Sequence, residues 1–164
     1  MTYKTSLDKT AVIITSATTV LFAALIIGQH SLITNEGLPD PIYTTTGCLL
    51  IYSLTFAFRP VNYRVTHDEL IVTRPVFNVR IKKADIKTVE LIKREKLRCS
   101  IRTFGVGGMF GYYGYFVNFA LGKMTWYATR RDRAVLIRTV NGKKIILTPN
   151  EPDKFVTEFT VIKN

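Results

Sequence analysis

Two unbroken apolar runs open the chain, and short alternating runs follow them. Ala11 to Gly28, AVIITSATTVLFAALIIG, is 18 residues without a charge. As a helix rising about 1.5 Å per residue it reaches roughly 27 Å, close to the roughly 30 Å hydrocarbon core of a bilayer. The second run, Ile42 to Phe58, is 17 residues, or roughly 26 Å as a helix, at the short end for a span. Tyr43 at one end and Phe58-Arg59 at the other suit membrane interfaces. The stretch between, Thr34 to Pro41 (TNEGLPDP), reads as an exposed turn. The pattern predicts a hairpin of two transmembrane helices, 11–28 and 42–58.

From Arg59 onward the spacing changes to period two. Strands are expected over Val61–Thr66, Leu70–Thr73, Phe77–Ile81, Ile86–Ile92, Thr125–Thr129, Ala134–Val140 and Lys143–Thr148. Asn141-Gly142 marks a hairpin, both residues accepting the positive φ of a type I′ turn. After Pro149, Asn150 is placed to cap a helix in which Phe155, Phe159 and Ile162 form one apolar stripe. Seven strands and a closing helix suggest a small two-sheet barrel or sandwich. The chain divides into a membrane segment, 1–59, and a mainly-β domain, 60–164.

One segment has no period. Phe104 to Gly122, FGVGGMFGYYGYFVNFALG, holds six of the ten glycines among seven Phe and Tyr residues. Its Gly105-x-Gly107-Gly108 spacing does not fit a nucleotide-binding loop. Two readings stand: a compact loop packed on the domain or the membrane ends, or an interfacial or binding surface. The glycines are assigned to packing. Tyr112 and Tyr113 are assigned to a membrane or partner surface, because adjacent side chains in extended chain point to opposite sides. The basic flank Lys93, Arg94, Lys96, Arg98 and Arg102 joins them as candidate surface.

Charge settles the orientation. Residues 59–164 hold 21 Lys/Arg against 9 Asp/Glu, while the loop 29–41 holds no cation. With Lys4 and Lys9 before the first helix, the positive-inside rule puts both termini in the cytoplasm. The first run exceeds a signal peptide's apolar core of roughly 7–15 residues, and no small-x-small cleavage site follows it. Cys48 falls in lipid and Cys99 in reducing cytosol, so neither is placed for a structural disulfide. No Cys/His cluster suggests a metal, and no cofactor is expected. His30 and His67 read as surface residues and Asp132 as a turn residue, so nothing points to catalysis. A basic domain also suits nucleic acid. Tethering beside an anionic leaflet accounts for the same charge, at about 1 kcal/mol per basic residue near the surface.

Several of these stretches together resemble the bacterial pleckstrin-homology-like (PH-like) domain family. They are Arg102-Thr103-Phe104-Gly105 through Gly107-Gly108-x-Phe110-Gly111-Tyr112-x-Gly114-x-Phe116, then Tyr127-Ala128-Thr129-x-Arg131, Val135-Leu136-Ile137, Gly142-Lys143-Lys144 and Pro149-x-x-Pro152-x-x-Phe155. More narrowly, the chain is similar to small members with a membrane hairpin ahead of the domain, and the likeness covers roughly 60–164. It implies a PH-like two-sheet, seven-stranded barrel with one C-terminal helix and no enzymatic activity, and it carries over no ligand or site residue. The expectation is a non-enzymatic scaffold or interaction module at the cytoplasmic face of the inner membrane. Its partners would be the bilayer, anionic lipid headgroups, and a second copy or another protein, without nucleic acid. The alternative is recognition of a specific anionic lipid or ligand by the basic domain.

Overall fold

A computed structural model describes residues 1–36 and 42–161. The order of elements is β1 (Thr2–Lys4), α1 (Lys9–Glu36), α2 (Ile42–Ala57), β2 (Asn62–Val65), β3 (Glu69–Thr73), β4 (Val79–Lys82), β5 (Ile86–Ile92), a short helix α3 (Arg94–Leu97), β6 (Ile101–Gly108), β7 (Gly111–Asn118), β8 (Gly122–Ala128), β9 (Ala134–Thr139), β10 (Lys144–Leu147) and α4 (Pro152–Val161). A 3-10 turn, Lys83–Asp85, joins β4 to β5.

Two sheets result. The first is ordered β1-β2-β3-β4 and is antiparallel throughout. The second is ordered β5-β9-β10-β8-β7-β6 and is antiparallel except where β10 runs parallel to β8. No ladder joins the two sheets among the described residues, so the barrel is not closed. All seven expected strands are present, but the seven-strand expectation is corrected to ten.

Two of the added strands, β6 and β7, replace the expected loop in the Gly-aromatic segment. Their pattern is hidden because glycines occupy positions where alternation would show. Gly105 and Gly114 are register partners, both at positive φ (107° and 122°). A Cβ on either would run into the backbone of the other strand. Bare backbone therefore lets the ladder form where a side chain would block it.

The third addition, β1, lies ahead of α1 and pairs with β2, Tyr3 opposite Tyr63. The helical hairpin is thus inserted between two neighbouring strands of one sheet.

The two faces of the second sheet carry separate cores. One face packs Tyr112, Phe116, Met124, Trp126, Leu136 and Ile146 under Leu97 of α3 and Ala11 of α1. Phe116 and Trp126 stack there with centroids 4.5 Å apart. The other face packs Val135, Ile137, Ile145 and Leu147 against Tyr63, Val65, Leu70 and Val72 of the first sheet and Phe155 of α4. Alternation in β8 through β10 supplies both cores at once, which is why few of these residues reach solvent.

Details of the turns differ from expectation. Gly142 alone takes positive φ (74°), and its N–H donates to Thr139 O at 3.0 Å. A type I′ turn would need Asn141 at positive φ as well, so the hairpin is of another type. Asn150 does not cap α4. Its Oδ1 accepts from Ser6 Oγ at 2.7 Å, and Glu151 precedes the first helical residue, Pro152. The expected Ile162 of the apolar stripe lies outside the described residues, as does most of the expected turn before α2.

Of the two apolar helices, Lys9–Gln29 is long and apolar enough to cross a membrane, and the protein itself buries almost none of it. Ile42–Ala57 is a second apolar helix, but shorter. Val12, Ile13, Val20, Leu21 and Ile27 in α1, and Leu49, Leu50 and Ile51 in α2, are exposed. Exposed apolar surface of that extent on a helix marks contact with something apolar.

Candidate functional site

The junction between helices and sheet is built from the tip of the β6–β7 hairpin. Aromatics and a positive-φ turn let that tip project. Met109 and Phe110 are buried, and Phe110 adopts φ 56°, unusual for a bulky residue. Its ring packs edge-on to Tyr52 and Phe56 of α2 at 5.2 and 5.5 Å. Its backbone N–H donates to Thr15 Oγ1 of α1 at 2.8 Å. Gly108 lies so close to Ile14 that a Cβ would meet Cδ1 at 2.5 Å. The tip therefore sits in the fork of the two helices, several residues into their apolar stretches.

Tyr112 and Tyr113 secure the same junction from either side of β7. The Tyr112 hydroxyl donates to Asp8 Oδ1 at 3.1 Å, and that atom also accepts from Ala11 N at 2.7 Å, capping α1. The Tyr113 hydroxyl donates to Thr55 O of α2. Burial pushes the Tyr112 phenol up to about 12, with the nearby Asp8 carboxylate adding to it; burial likewise raises Tyr113. Both rings are buried, 0% and 5% exposed. The expectation that they form an open surface is corrected. They do point to opposite sides, but the sheet core takes one and the end of α2 covers the other.

Thr15→Val should leave the Phe110 N–H without its acceptor, at a cost of about 1–3 kcal/mol, while Thr15→Ser should preserve stability. Denaturant unfolding of the full chain in detergent measures this. Equal stability of the Val and Ser variants would sink the assignment.

Two arginines flank the junction. Arg59 stacks over Phe56 with 4.2 Å to the ring centroid, and Arg74 over Tyr127 with 4.6 Å. Neither has a carboxylate partner among the described ion pairs, and the Nε of each is buried without an acceptor. Their guanidinium charge is held against aromatic faces of α2 and β8.

The basic flank is exposed, and four of its five residues lie on α3 and its two caps. Lys93 follows β5, which ends beside Ala134, and Arg94 opens α3. Lys96 lies at the other end of β7, where Asn118 Nδ2 donates to its carbonyl at 2.7 Å. Arg98 follows α3, and Arg102 belongs to β6, lying over Gly107.

Sequence reading missed an open groove of about 960 Å³ between the two sheets. It runs from β4 (Val79, Arg80, Ile81) to the faces of β7 and β8 (Tyr115, Val117, Lys123, Thr125, Tyr127) and to Lys143 and Lys144. The four-stranded sheet covers only part of the six-stranded one. On the β6–β8 portion of that face Tyr113 and Tyr127 are covered, but Phe104 and Tyr115 are left 73% and 59% exposed. The same alternate phase that carries Tyr113, Tyr115 and Val117 along β7 could have marked it, had the segment been read as a strand.

Among the described residues no group of three His, Cys, Asp or Glu is brought together. His67 lies in an exposed turn with Nδ1 2.7 Å from Asp68. Asp132 is held below the usual carboxylate range by the fork of Arg130, which donates to both its oxygens.

Residues 61–162 match the family described as bacterial PH domain. That is more than half of the chain, which therefore belongs to that family. No curated protein and no solved structure matches it.

Proposed function

We propose that this bacterial PH domain is a non-enzymatic interaction module, anchored by α1 and α2 in the inner membrane with the β-domain and both termini in the cytoplasm. The observation that carries the reading is the β6–β7 tip seated between two otherwise uncovered apolar helices. A hinged soluble domain has no use for such a joint; a module held at a fixed attitude to a bilayer does. Arg59 and Arg74 then lie at headgroup level, and the wider basic surface is attracted to the anionic leaflet. Fold-family membership supports interaction rather than chemistry, and a self-associating or partner-binding scaffold agrees with the bare groove. Recognition of a specific anionic lipid by the basic domain is the alternative that Arg59 and Arg74 favour, and nucleic acid is not expected.

Cysteine labelling tests the topology. A cysteine at Glu36 should react with a membrane-impermeant maleimide in intact cells, and one at Asn141 only after lysis. The full chain should stay in the pellet after carbonate extraction. Labelling of position 141 in intact cells, or release by carbonate, would overturn the reading.

A further inference from the structure

We propose that the groove between the sheets binds an extended acidic peptide segment of a partner protein, which adds as a fifth strand to the free edge of β4. This deepens the interaction-module reading and rests on it only for the partner's location, since the groove itself lies outside the helices.

The register of β4 defines the edge. Lys83 N donates to Asp68 O, and the same antiparallel ladder pairs Ile81 with Leu70 and Val79 with Val72. Ladder bonds alternate along a strand, so Val79 and Ile81 face β3 with their N–H and C=O. Arg80 and Lys82 turn theirs away from it. β4 ends its sheet, so those groups point along the open side, where an added strand takes them up.

The groove then presents what such a strand needs on its other sides. Its floor is the face of β7 and β8, with Tyr115, Val117 and Thr125 to meet the side chains of the added strand. From Lys123 to Tyr127 the floor runs about 13 Å at roughly 3.3 Å per residue, room for four to five residues of extended chain.

The end of the groove is basic. Lys123 and Lys143 are exposed and carry no ion pair among the described residues, while Asp85 is the single acid in the lining. That asymmetry selects an acidic segment. It also disfavours a second copy of this chain, because pairing β4 with itself would set Arg80 and Lys82 against the same cations.

The test uses the full chain in phosphatidylcholine nanodiscs and a fluorescein-labelled peptide, Thr-Val-Thr-Val-Thr-Asp-Asp, followed by anisotropy. Saturable binding is expected, weakened at least tenfold by Lys123→Glu/Lys143→Glu and unchanged by Lys93→Glu/Arg94→Glu on the other face of the sheet. Two peptides N-methylated at alternate residues separate strand addition from mere charge attraction, and only one of them should lose binding. Arg80→Pro, which deletes an outward N–H, should reproduce that loss.

Absence of saturable binding overturns the proposal, as does equal loss with both charge-reversed pairs. So does equal tolerance of the two methylated peptides. Displacement of the peptide by dihexanoyl phosphatidylglycerol, with that lipid's own binding lost in Lys123→Glu/Lys143→Glu, would assign the groove to lipid instead. The same titration in detergent reads the groove even if carbonate extraction defeats the membrane reading, so the two failures are distinguishable.

Discussion

Gly114→Val prevents the β-domain from folding stably, at an expected cost of about 3 kcal/mol or more. Two effects combine. The backbone at 114 has φ 122°, which a β-branched residue does not tolerate, and the new Cβ would be driven into the carbonyl of Phe104 across the ladder. The damage would spread, because β7 also pairs with β8 through Gly114 opposite Trp126, and Tyr112 and Tyr113 beside it tie the strand to both helices. Gly47→Ala in α2 is the control. It meets no atom within 4 Å and has no positive φ, and alanine is the better helix former by about 1 kcal/mol. Thermal unfolding of the two variants in detergent measures the contrast. A Gly114→Val protein melting with the wild type would show that β6 and β7 are not paired in this register.

Alkaline unfolding is the second large effect. Tyr63 is fully buried between the sheets; its hydroxyl donates to Tyr127 O at 2.6 Å and accepts from Thr148 N at 3.1 Å. Burial pushes its phenol up to about 12 from the usual 10.0. Tyr3 and Tyr112 are also pushed up to about 12, and burial raises Tyr113 and Tyr127. Below pH 10 each phenol is protonated whether folded or unfolded, and stability is at its full value. Between 10 and 12 the unfolded chain loses these protons while the folded chain keeps them, so stability falls as pH rises. Tyr63 alone accounts for roughly 2–3 kcal/mol of that fall. Tyr63→Phe should flatten the decline by about that amount. At neutral pH it should cost about 1–3 kcal/mol, because Thr148 N–H and Tyr127 O lose their common partner. Urea unfolding at pH 7 and across pH 9–12 checks both halves. A Tyr63→Phe chain with unchanged neutral stability and an unchanged alkaline slope would show that the hydroxyl does not bridge the sheets.

Legibility in the sequence followed the strength of local patterning. β5 was readable to the residue, Ile86–Ile92, because a short run rich in β-branched residues is bounded by turns. The C-terminal helix was readable from Phe155 and Phe159, although its cap was not, since Asn150 is engaged by Ser6 from the far end of the chain. β6 and β7 were unreadable because Gly105, Gly107, Gly111 and Gly114 erase the alternation that identifies a strand; only the pairing partner shows why they are needed. β1 was unreadable for a different reason. Three residues before a helix carry no period, and their partner lies in β2. Of the candidate surface, the exposure of Lys93, Arg94, Lys96, Arg98 and Arg102 followed from their charge. The burial of Tyr113 depended on α2 folding back to cover it, which no nearby residue announces. The groove depended on one sheet being narrower than the other, and that is a property of topology alone.

The placement of β1 beside β2 imposes an order of assembly. A translating ribosome releases Thr2–Lys4 about 60 residues before Asn62–Val65, and closing so long a loop carries an entropic cost that nearby contacts do not. Both apolar helices emerge in that interval. The first strand must wait, unpaired, until the helices have been made and the chain has returned with β2. The β1–β2 pairing then acts as a latch, closing only over a hairpin whose two ends have been brought side by side.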